Sequence, residues 1–242
     1  MEVIKSLKNS KVKHWCKLKQ KKYRDRYGLF IVQERHLIEE AIKAACIDTL
    51  IVKENVENVF GIDCIYVSES VIKKISENIS LNDYVAVCKM VENKEYEFEK
   101  AVILEKVQDP GNLGTIIRTA YSFGYDVVFL TEDSCDIYNE KAIQASQGAF
   151  LHIPVIRDTL ENIVSKVKEN GCKLIATDLN NSNYLNKSQK TEKLAIIFGN
   201  EGKGLSQKAI NEADERVKIE MDNFDSLNVA VAAAIVMYYY KY

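Results

Sequence analysis

Proline is nearly absent from this chain, two in 242 residues, and glycine is sparse at ten. That scarcity excludes collagen-like, linker-like and other low-complexity readings. No apolar stretch reaches the roughly 18 residues that a membrane span needs. The longest, 229–240, is shorter and ends in three tyrosines. The first residues are polar and rich in lysine, with no apolar core of a secretory signal, so a cytoplasmic location is expected. Cysteine is present six times, but Cys16, Cys46, Cys64, Cys88, Cys135 and Cys172 are scattered and form no CxxC. His14, His36 and His152 do not pair with them at zinc-ligand spacings, so no metal is expected. Several of these thiols lie in apolar runs, where cysteine behaves as a small hydrophobe. What remains is ordinary: 47% hydrophobic residues, enough for a sizeable core, in a 27.6 kDa chain suited to two domains or one large one.

The net charge of −2 hides an asymmetry. Residues 1–27 carry ten Lys and Arg against Glu2 and Asp25, which leaves −10 on the rest of the chain. Trp15, Tyr23 and Tyr27 are interleaved with Lys11, Lys13, Lys17, Lys19, Lys21, Lys22, Arg24 and Arg26. A basic run with aromatics is the footprint of a nucleic-acid contact, with rings available for stacking. The same run also fits a solvated basic helix.

From residue 29 to 90, short apolar runs alternate with helical patterns. Strands are expected at 29–32, 50–52, 65–67 and 84–87, with helices at 34–45 and 69–78. This is a small α/β domain, 1–91. The charged stretch 92–100 lacks an apolar face and marks a boundary. A second domain, 101–242, restarts the alternation. Its strands are expected at 101–105, 127–130, 153–156, 173–177, 194–198 and 216–221, and its helices at 113–123, 139–146, 160–169, 207–212 and 228–240. Strands that alternate with helices and are apolar on both faces imply a mostly parallel sheet covered on both sides.

Three clusters fall where strands end and turns begin, the edge at which open parallel sheets bind ligands. The first is Asp109-Pro110-Gly111-Asn112-Leu113-Gly114-Thr115, followed by Arg118 in an otherwise apolar helix. Asn112 is suited to cap that helix. The Arg118 guanidinium either reaches solvent or holds an anion such as phosphate. The second is Phe198-Gly199-Asn200-Glu201-Gly202-Lys203-Gly204-Leu205-Ser206. It fails GxxxxGK[ST] because Leu205 stands where lysine is required, and it fails GxGxxG because Gln207 replaces the last glycine. A glycine-rich loop whose backbone approaches a ligand closely is left, alongside a tight strand-to-helix turn. The third is Asp225-Ser226-Leu227-Asn228 ahead of the apolar helix, with Ser226 as a cap. A helix apolar nearly all round is buried, in the core or against a second subunit.

In this order and spacing the three clusters, with Ser146-Gln147-Gly148-Ala149 between them, resemble the SpoU (TrmH-type) family of RNA ribose 2′-O-methyltransferases of the SPOUT superfamily. The resemblance is strong over 100–242 and weaker over the first domain. It implies a C-terminal α/β trefoil-knot domain with a mostly parallel sheet, preceded by a small α/β RNA-binding domain like a ribosomal protein. It also implies S-adenosylmethionine as cofactor and a homodimer formed through the C-terminal domain. By the same resemblance Thr177, Phe198, Gly199, Asn200, Glu201, Gly202, Ile219, Met221, Leu227 and Asn228 would hold the cofactor. Arg118 would anchor phosphate and orient the ribose hydroxyl, with Asn112, Glu201, Ser226 and Asn228 framing the site. RNA, ribosomal rather than transfer RNA, would meet Lys11, Lys13, Lys17, Lys21, Lys22, Arg24 and Arg26. The family often has Glu-Gly where this chain has Gln33-Glu34, and Gln-Gly where it has Asp83-Tyr84.

Two other classes are open on the residues. One is a non-catalytic RNA-binding or ribosome-assembly protein on the same fold, which would need none of Arg118, Glu201 and Asn228 together. The other is a nucleotide-dependent oxidoreductase, against which the failed dinucleotide fingerprint and the basic N-terminus both count.

Overall fold

The structure, a computed structural model, describes residues 3–76, 82–91, 97–180, 182–223 and 226–241. It divides into two compact units, Met1–Glu92 with Tyr138–Ile143, and Asn93–Ile137 with Gln144–Tyr242. Part of the expected boundary, 92–96, and the last two residues of the expected helix 69–78 lie outside the described residues, as does Asp225.

The first unit runs β1 (Val3–Ile4), α1 (Ser10–Lys17), α2 (Lys21–Tyr27), β2 (Leu29–Gln33), α3 (Arg35–Lys43), β3 (Ile47–Lys53), β4 (Cys64–Val67), α4 (Glu69–Ser76) and β5 (Tyr84–Lys89). Its sheet has the order β1-β4-β3-β5-β2, parallel from β1 to β3 and antiparallel across β5 and β2. The basic segment forms two helices rather than one. Asn9 caps α1 by accepting the Lys11 N–H at 2.9 Å, Gln20 is extended, and Gly28 in the left-handed region (φ 63°) ends α2. Val12, Trp15 and Leu18 are buried with Ile51, Val71, Ile72, Val85 and Val87. Trp15, expected as a ring free for stacking, is therefore a core residue, because every third or fourth side chain of α1 faces the sheet. The α1–α2 pair is thus part of the domain and not an appended tail.

The second unit contains β6 (Lys100–Leu104), α5 (Pro110–Ser122), β7 (Val127–Thr131), α6 (Glu140–Ser146), β8 (Val155–Asp158), α7 (Leu160–Glu169), β9 (Lys173–Thr177), β10 (Asn183–Tyr184), β11 (Leu194–Phe198), α8 (Gln207–Glu212), β12 (Glu215–Lys218) and α9 (Val229–Tyr239). One residue range, α6, runs across the division between the units. The sheet order is β10-β12-β9-β11-β6-β7-β8, and every pairing is parallel. All residues of β7 and β11 are buried, as expected for central parallel strands with helices on both faces. Each such buried Val, Ile or Phe contributes about 1.5–3 kcal/mol relative to exposure. α9 packs beside α5: Ala230, Ala233, Val236 and Met237 are buried, and the Tyr125 hydroxyl donates to the Met237 carbonyl at 3.2 Å. Its other face leaves Val231, Ile235 and Tyr238 at 50%, 40% and 59% exposure. No described helix is long and apolar enough to cross a membrane.

Candidate active site at the carboxyl edge of the parallel sheet

The loop after β6 turns into α5 through Asp109, not Asn112. The Asp109 carboxylate accepts the Asn112 N–H at 2.8 Å and Pro110 opens the helix, where its missing N–H costs nothing. Asn112 is thereby placed in the first turn with its amide free to point outward. At the third cluster the expected cap is likewise displaced. Asn228, rather than Ser226, caps α9, its Oδ1 accepting the Ala230 and Val231 N–H groups at 2.9 and 3.3 Å. An Asx side chain directly before the first helical residue outcompetes a serine two residues earlier.

The loop after β11 closes on itself. Asn200 and Gly204 exchange backbone hydrogen bonds of 3.1 and 2.9 Å, and Asn200 Oδ1 accepts the Gly202 and Lys203 N–H groups, both at 3.0 Å. This closure requires glycine at 199: a Cβ there would stand 2.3 Å from the Gly204 carbonyl carbon and 2.4 Å from the Leu205 nitrogen. Glu201 then reaches the first loop. Its carboxylate accepts from the Gln108 N–H (3.2 Å), the Asp109 N–H (3.1 Å) and Asn112 Nδ2 (3.2 Å). Asn200 Nδ2 donates to the Lys106 carbonyl at 2.8 Å, and Asn228 Nδ2 donates to Asn112 Oδ1 at 3.0 Å. Partial burial pushes the Glu201 carboxyl up, but the N–H groups of Glu201 itself, Asp109 and Gln108 and the Asn112 amide outweigh it and hold the group below its ordinary value. Asn112, Asn200, Glu201 and Asn228, drawn from three separate segments, thus form one hydrogen-bonded assembly.

Of the other expected site residues, Gly202 joins the network through its N–H to Asn200 Oδ1, and the side chains of the rest form no hydrogen bond to it among the described residues. Arg118 lies on α5, about 9 Å along the axis from Asn112. It is exposed, and among the described residues its guanidinium has neither an ion pair nor a hydrogen bond. That is the disposition of a group left to take an anion. Ser226 and Leu227 are exposed just before the α9 cap. Ile219 and Met221 were expected within a strand, but β12 ends at Lys218 and leaves both half-buried in the following loop. Gly202 is exposed in the closed loop, and Thr177 ends β9 with its hydroxyl donating to the Ile197 carbonyl at 2.9 Å. Phe198 is 1% exposed, so its ring belongs to the core and leaves its backbone as the part that can meet a ligand.

Two residues that the sequence reading passed over support the loops. Glu105, 2% exposed, accepts the Ser206 N–H at 2.8 Å and so holds the far end of the glycine-rich loop. Arg157 donates to four carbonyls at the end of β7 and in the loop after it, those of Thr131 (3.0 Å), Glu132 (2.9 Å), Ser134 (2.7 Å) and Cys135 (2.6 Å). That loop is in turn laced to the first cluster: the Lys106 N–H donates to Thr131 Oγ1 and the Cys135 N–H to the Val107 carbonyl. A charged residue directly after the apolar run 153–156, still inside the strand, was the available signal for Arg157. Burial pushes the Cys135 thiol up to about 11, which removes it as a nucleophile. No group of three or more His, Cys, Asp or Glu side chains among the described residues is arranged to hold a metal.

In the first unit Lys11, Lys13, Lys17, Lys21, Lys22 and Arg26 are exposed. Lys21 pairs with Asp25 at 2.6 Å. Arg24 does not belong with them. It is 7% exposed, and its Nη1 donates to the Leu18 and Lys19 carbonyls at 3.0 and 2.8 Å, tying the α1–α2 turn. A guanidinium spent on the turn's own carbonyls is not available to a phosphate.

The chain matches the family described as the SpoU rRNA Methylase family over residues 99–238, and an MRM3-like substrate binding domain over residues 9–85. It is 37% identical to the 23S rRNA (guanosine(2553)-2′-O)-methyltransferase RlmP of Bacillus subtilis, covering 100% of both chains. A solved rRNA methyltransferase from Sinorhizobium meliloti superposes with a TM-score of 0.90 at 28% identity, over 99% of this chain and 97% of that one. An AdoMet-bound structure of an rRNA methyltransferase from the same organism gives 0.89 at 29% identity, with the same coverage. With the methylase domain spanning more than half of the residues and a relative matched end to end, the chain belongs to the SpoU rRNA methylase family.

Proposed function

We propose that this protein transfers a methyl group from S-adenosylmethionine to a ribose 2′-hydroxyl of ribosomal RNA. The observation that carries the reading is the Asn112–Glu201–Asn228 assembly, with Asn112 on the same helix as an exposed Arg118 that has no partner among the described residues, in a chain of this family. The residues fit the cofactor. The half-buried Ile219 and Met221 with the exposed Leu227 offer apolar surface to a purine. When bound, S-adenosylmethionine supplies an electrophilic methyl on a sulfonium.

The chain's own part is positional, since an in-line displacement gains most from fixed geometry. Glu201, in the second loop, holds the first loop and the Asn112 amide, and Asn112 so oriented accepts the bond from Asn228 of the third. Arg118 anchors an RNA phosphate and orients the 2′-hydroxyl. It does not act as a base, because an arginine is protonated throughout the working range. Lys11, Lys13, Lys17, Lys22 and Arg26 provide the electrostatic contact to the RNA. The exposed apolar side chains of α9, Val231, Ile235 and Tyr238, pair with those of a second copy in a homodimer.

Calorimetry tests the cofactor first, with NAD as control. Binding of S-adenosylmethionine and no heat from NAD is expected. A folded protein that binds neither would favour a non-catalytic RNA-binding role. Arg118→Ala is expected to lose methyl transfer to RNA while still binding S-adenosylmethionine, and wild-type activity in that variant would sink the assignment. Val231→Asp is expected to shift the species seen by light scattering from dimer to monomer.

A further inference from the structure

The first unit carries a ladder of rings that reaches from the edge of its core outward. Tyr23 and Tyr27, four residues apart on α2, have ring centroids 6.2 Å apart at an interplanar angle of 10°. His14 of α1 meets the Tyr27 ring at 4.5 Å, edge-on, and so fixes its position. Tyr27 leans on the core of the sheet, whereas Tyr23, at the outer end, does not. Cations surround the ladder: Lys17 Nζ lies 5.4 Å and Lys22 Nζ 4.8 Å from the Tyr23 centroid, and the Arg26 guanidinium is 5.7 Å from that of Tyr27. All three are exposed. By contrast Trp15, from the same segment, is 4% exposed and fully used by packing.

We propose that Tyr23 is a stacking platform for an unpaired base of structured RNA, with Lys17, Lys22 and Arg26 taking the phosphates on either side. The inference rests on the RNA-substrate reading above and narrows it to loop or bulge nucleotides. In an A-form duplex the base faces are already stacked on one another, so a ring platform gains nothing from paired RNA. The exchange is favourable on magnitudes. An exposed lysine over a ring is worth roughly two- to fivefold in a binding constant. Stacking of a base on an aromatic side chain is worth roughly five- to hundredfold. When phosphates draw Lys17 and Lys22 aside, the ring gives up two such contacts, roughly four- to 25-fold together, and the stacked base with the two new lysine–phosphate contacts replaces them. Tyr27 and His14 behind it keep the platform from turning away.

The test uses the full chain and two RNA probes of equal nucleotide number, a hairpin with 2-aminopurine in its loop and a blunt duplex with the same fluorophore. The wild type is expected to prefer the hairpin and to quench the loop fluorophore. Tyr23→Leu should weaken hairpin binding roughly fivefold to a hundredfold, leave duplex binding within about twofold, and leave the salt slope of binding unchanged, because it removes no charge. Tyr23→Phe, which retains the ring, should bind the hairpin like the wild type. Equal losses on hairpin and duplex in Tyr23→Leu, or an unquenched loop base with the wild type, would overturn the proposal. Should Tyr23→Leu melt early, the quenching by the wild type and by Tyr23→Phe still decides. Calorimetry with S-adenosylmethionine on the same preparations separates the two readings: cofactor binding without quenching removes the platform and leaves the methyltransferase standing.

Discussion

Glu34 is a residue in the wrong conformation for its side chain, and replacing it with glycine should make the protein more stable. It precedes α3 with φ 74° and ψ 136°, a region that side chains with a Cβ avoid. Residues held there cost about 1–3 kcal/mol each. Nothing visible offsets the strain. The Glu34 side chain is exposed, makes no capping hydrogen bond, and has no partner among the described residues. The one backbone bond in view, from the Ile38 N–H to the Glu34 carbonyl at 3.1 Å, does not depend on the side chain. Glycine relieves the strain but adds freedom to the unfolded chain, at about 0.5–1 kcal/mol. The net gain for Glu34→Gly is about 1 kcal/mol, or about 4–8 °C in the transition of a unit of this size. Glu34→Ala keeps the Cβ and should melt within about 1 °C of the wild type, since it alters only an exposed side chain. Thermal unfolding followed by circular dichroism measures both. A Glu34→Gly protein that melts no higher than Glu34→Ala refutes the argument from strain. The family's frequent glycine at this point is then understandable as the unstrained solution, and this chain as a departure from it.

Three further predictions concern the site. Gly199→Ala should cost about 2 kcal/mol, because the new Cβ forces apart the two backbone hydrogen bonds between Asn200 and Gly204. Gly202→Ala, whose Cβ would meet only Asn200 Oδ1 at 3.7 Å, should fold normally; matching urea midpoints for the two variants would contradict the packing argument. Because the Glu201 pKa is lowered by folding, its contribution is complete above its unfolded value of about 4.3 and is lost as the pH falls through the lower folded value. The difference in stability between wild type and Glu201→Gln should therefore be constant from pH 8 to about pH 5 and shrink below that, and a difference that widened with acid would reverse the sign. Arg157→Met removes four charge-assisted hydrogen bonds and should cost about 2–4 kcal/mol by urea unfolding, with Arg157→Lys recovering part of it. A loss below about 0.5 kcal/mol would mean that the loop after β7 is held by something else.

The parts of the fold that were legible are those written in apolar runs. β9 at 173–177 and β11 at 194–198 fall where the sequence places them, as do α7 and α8, because buried parallel strands and amphipathic helices have strong local signatures. The two-residue strands β1 and β10 carry no periodicity and were not visible. Both site helices were read with the wrong cap, for one reason. Asp109, Asn112, Ser226 and Asn228 are all competent caps, and only the path of the backbone selects among them. The three clusters were legible as residues, but not their connection: nothing in the spacing of Asn112, Glu201 and Asn228 says that one amide bonds the next. Charge counting misjudged Arg24 and overlooked Arg157, because a guanidinium that serves backbone carbonyls looks, in a sequence, like one that serves solvent.

The hydrogen bonds that join the three segments have a direction. The N–H groups that open α9 donate to Asn228 Oδ1, Asn228 Nδ2 donates to Asn112 Oδ1, and Asn112 Nδ2 donates to Glu201. Every donor points the same way, from the positive end of a helix to a carboxylate, so each bond polarises the next. Neither amide can flip without placing oxygen against oxygen at one end and nitrogen against N–H at the other. The chain is therefore a rectifier: its parts are chemically similar but not exchangeable. An Asp at 112 would set two carboxylates against each other, while an Asp at 228 would keep the cap and lose the link. Slow deamidation of either amide, an ordinary form of ageing in asparagine, would break the line at a definite place.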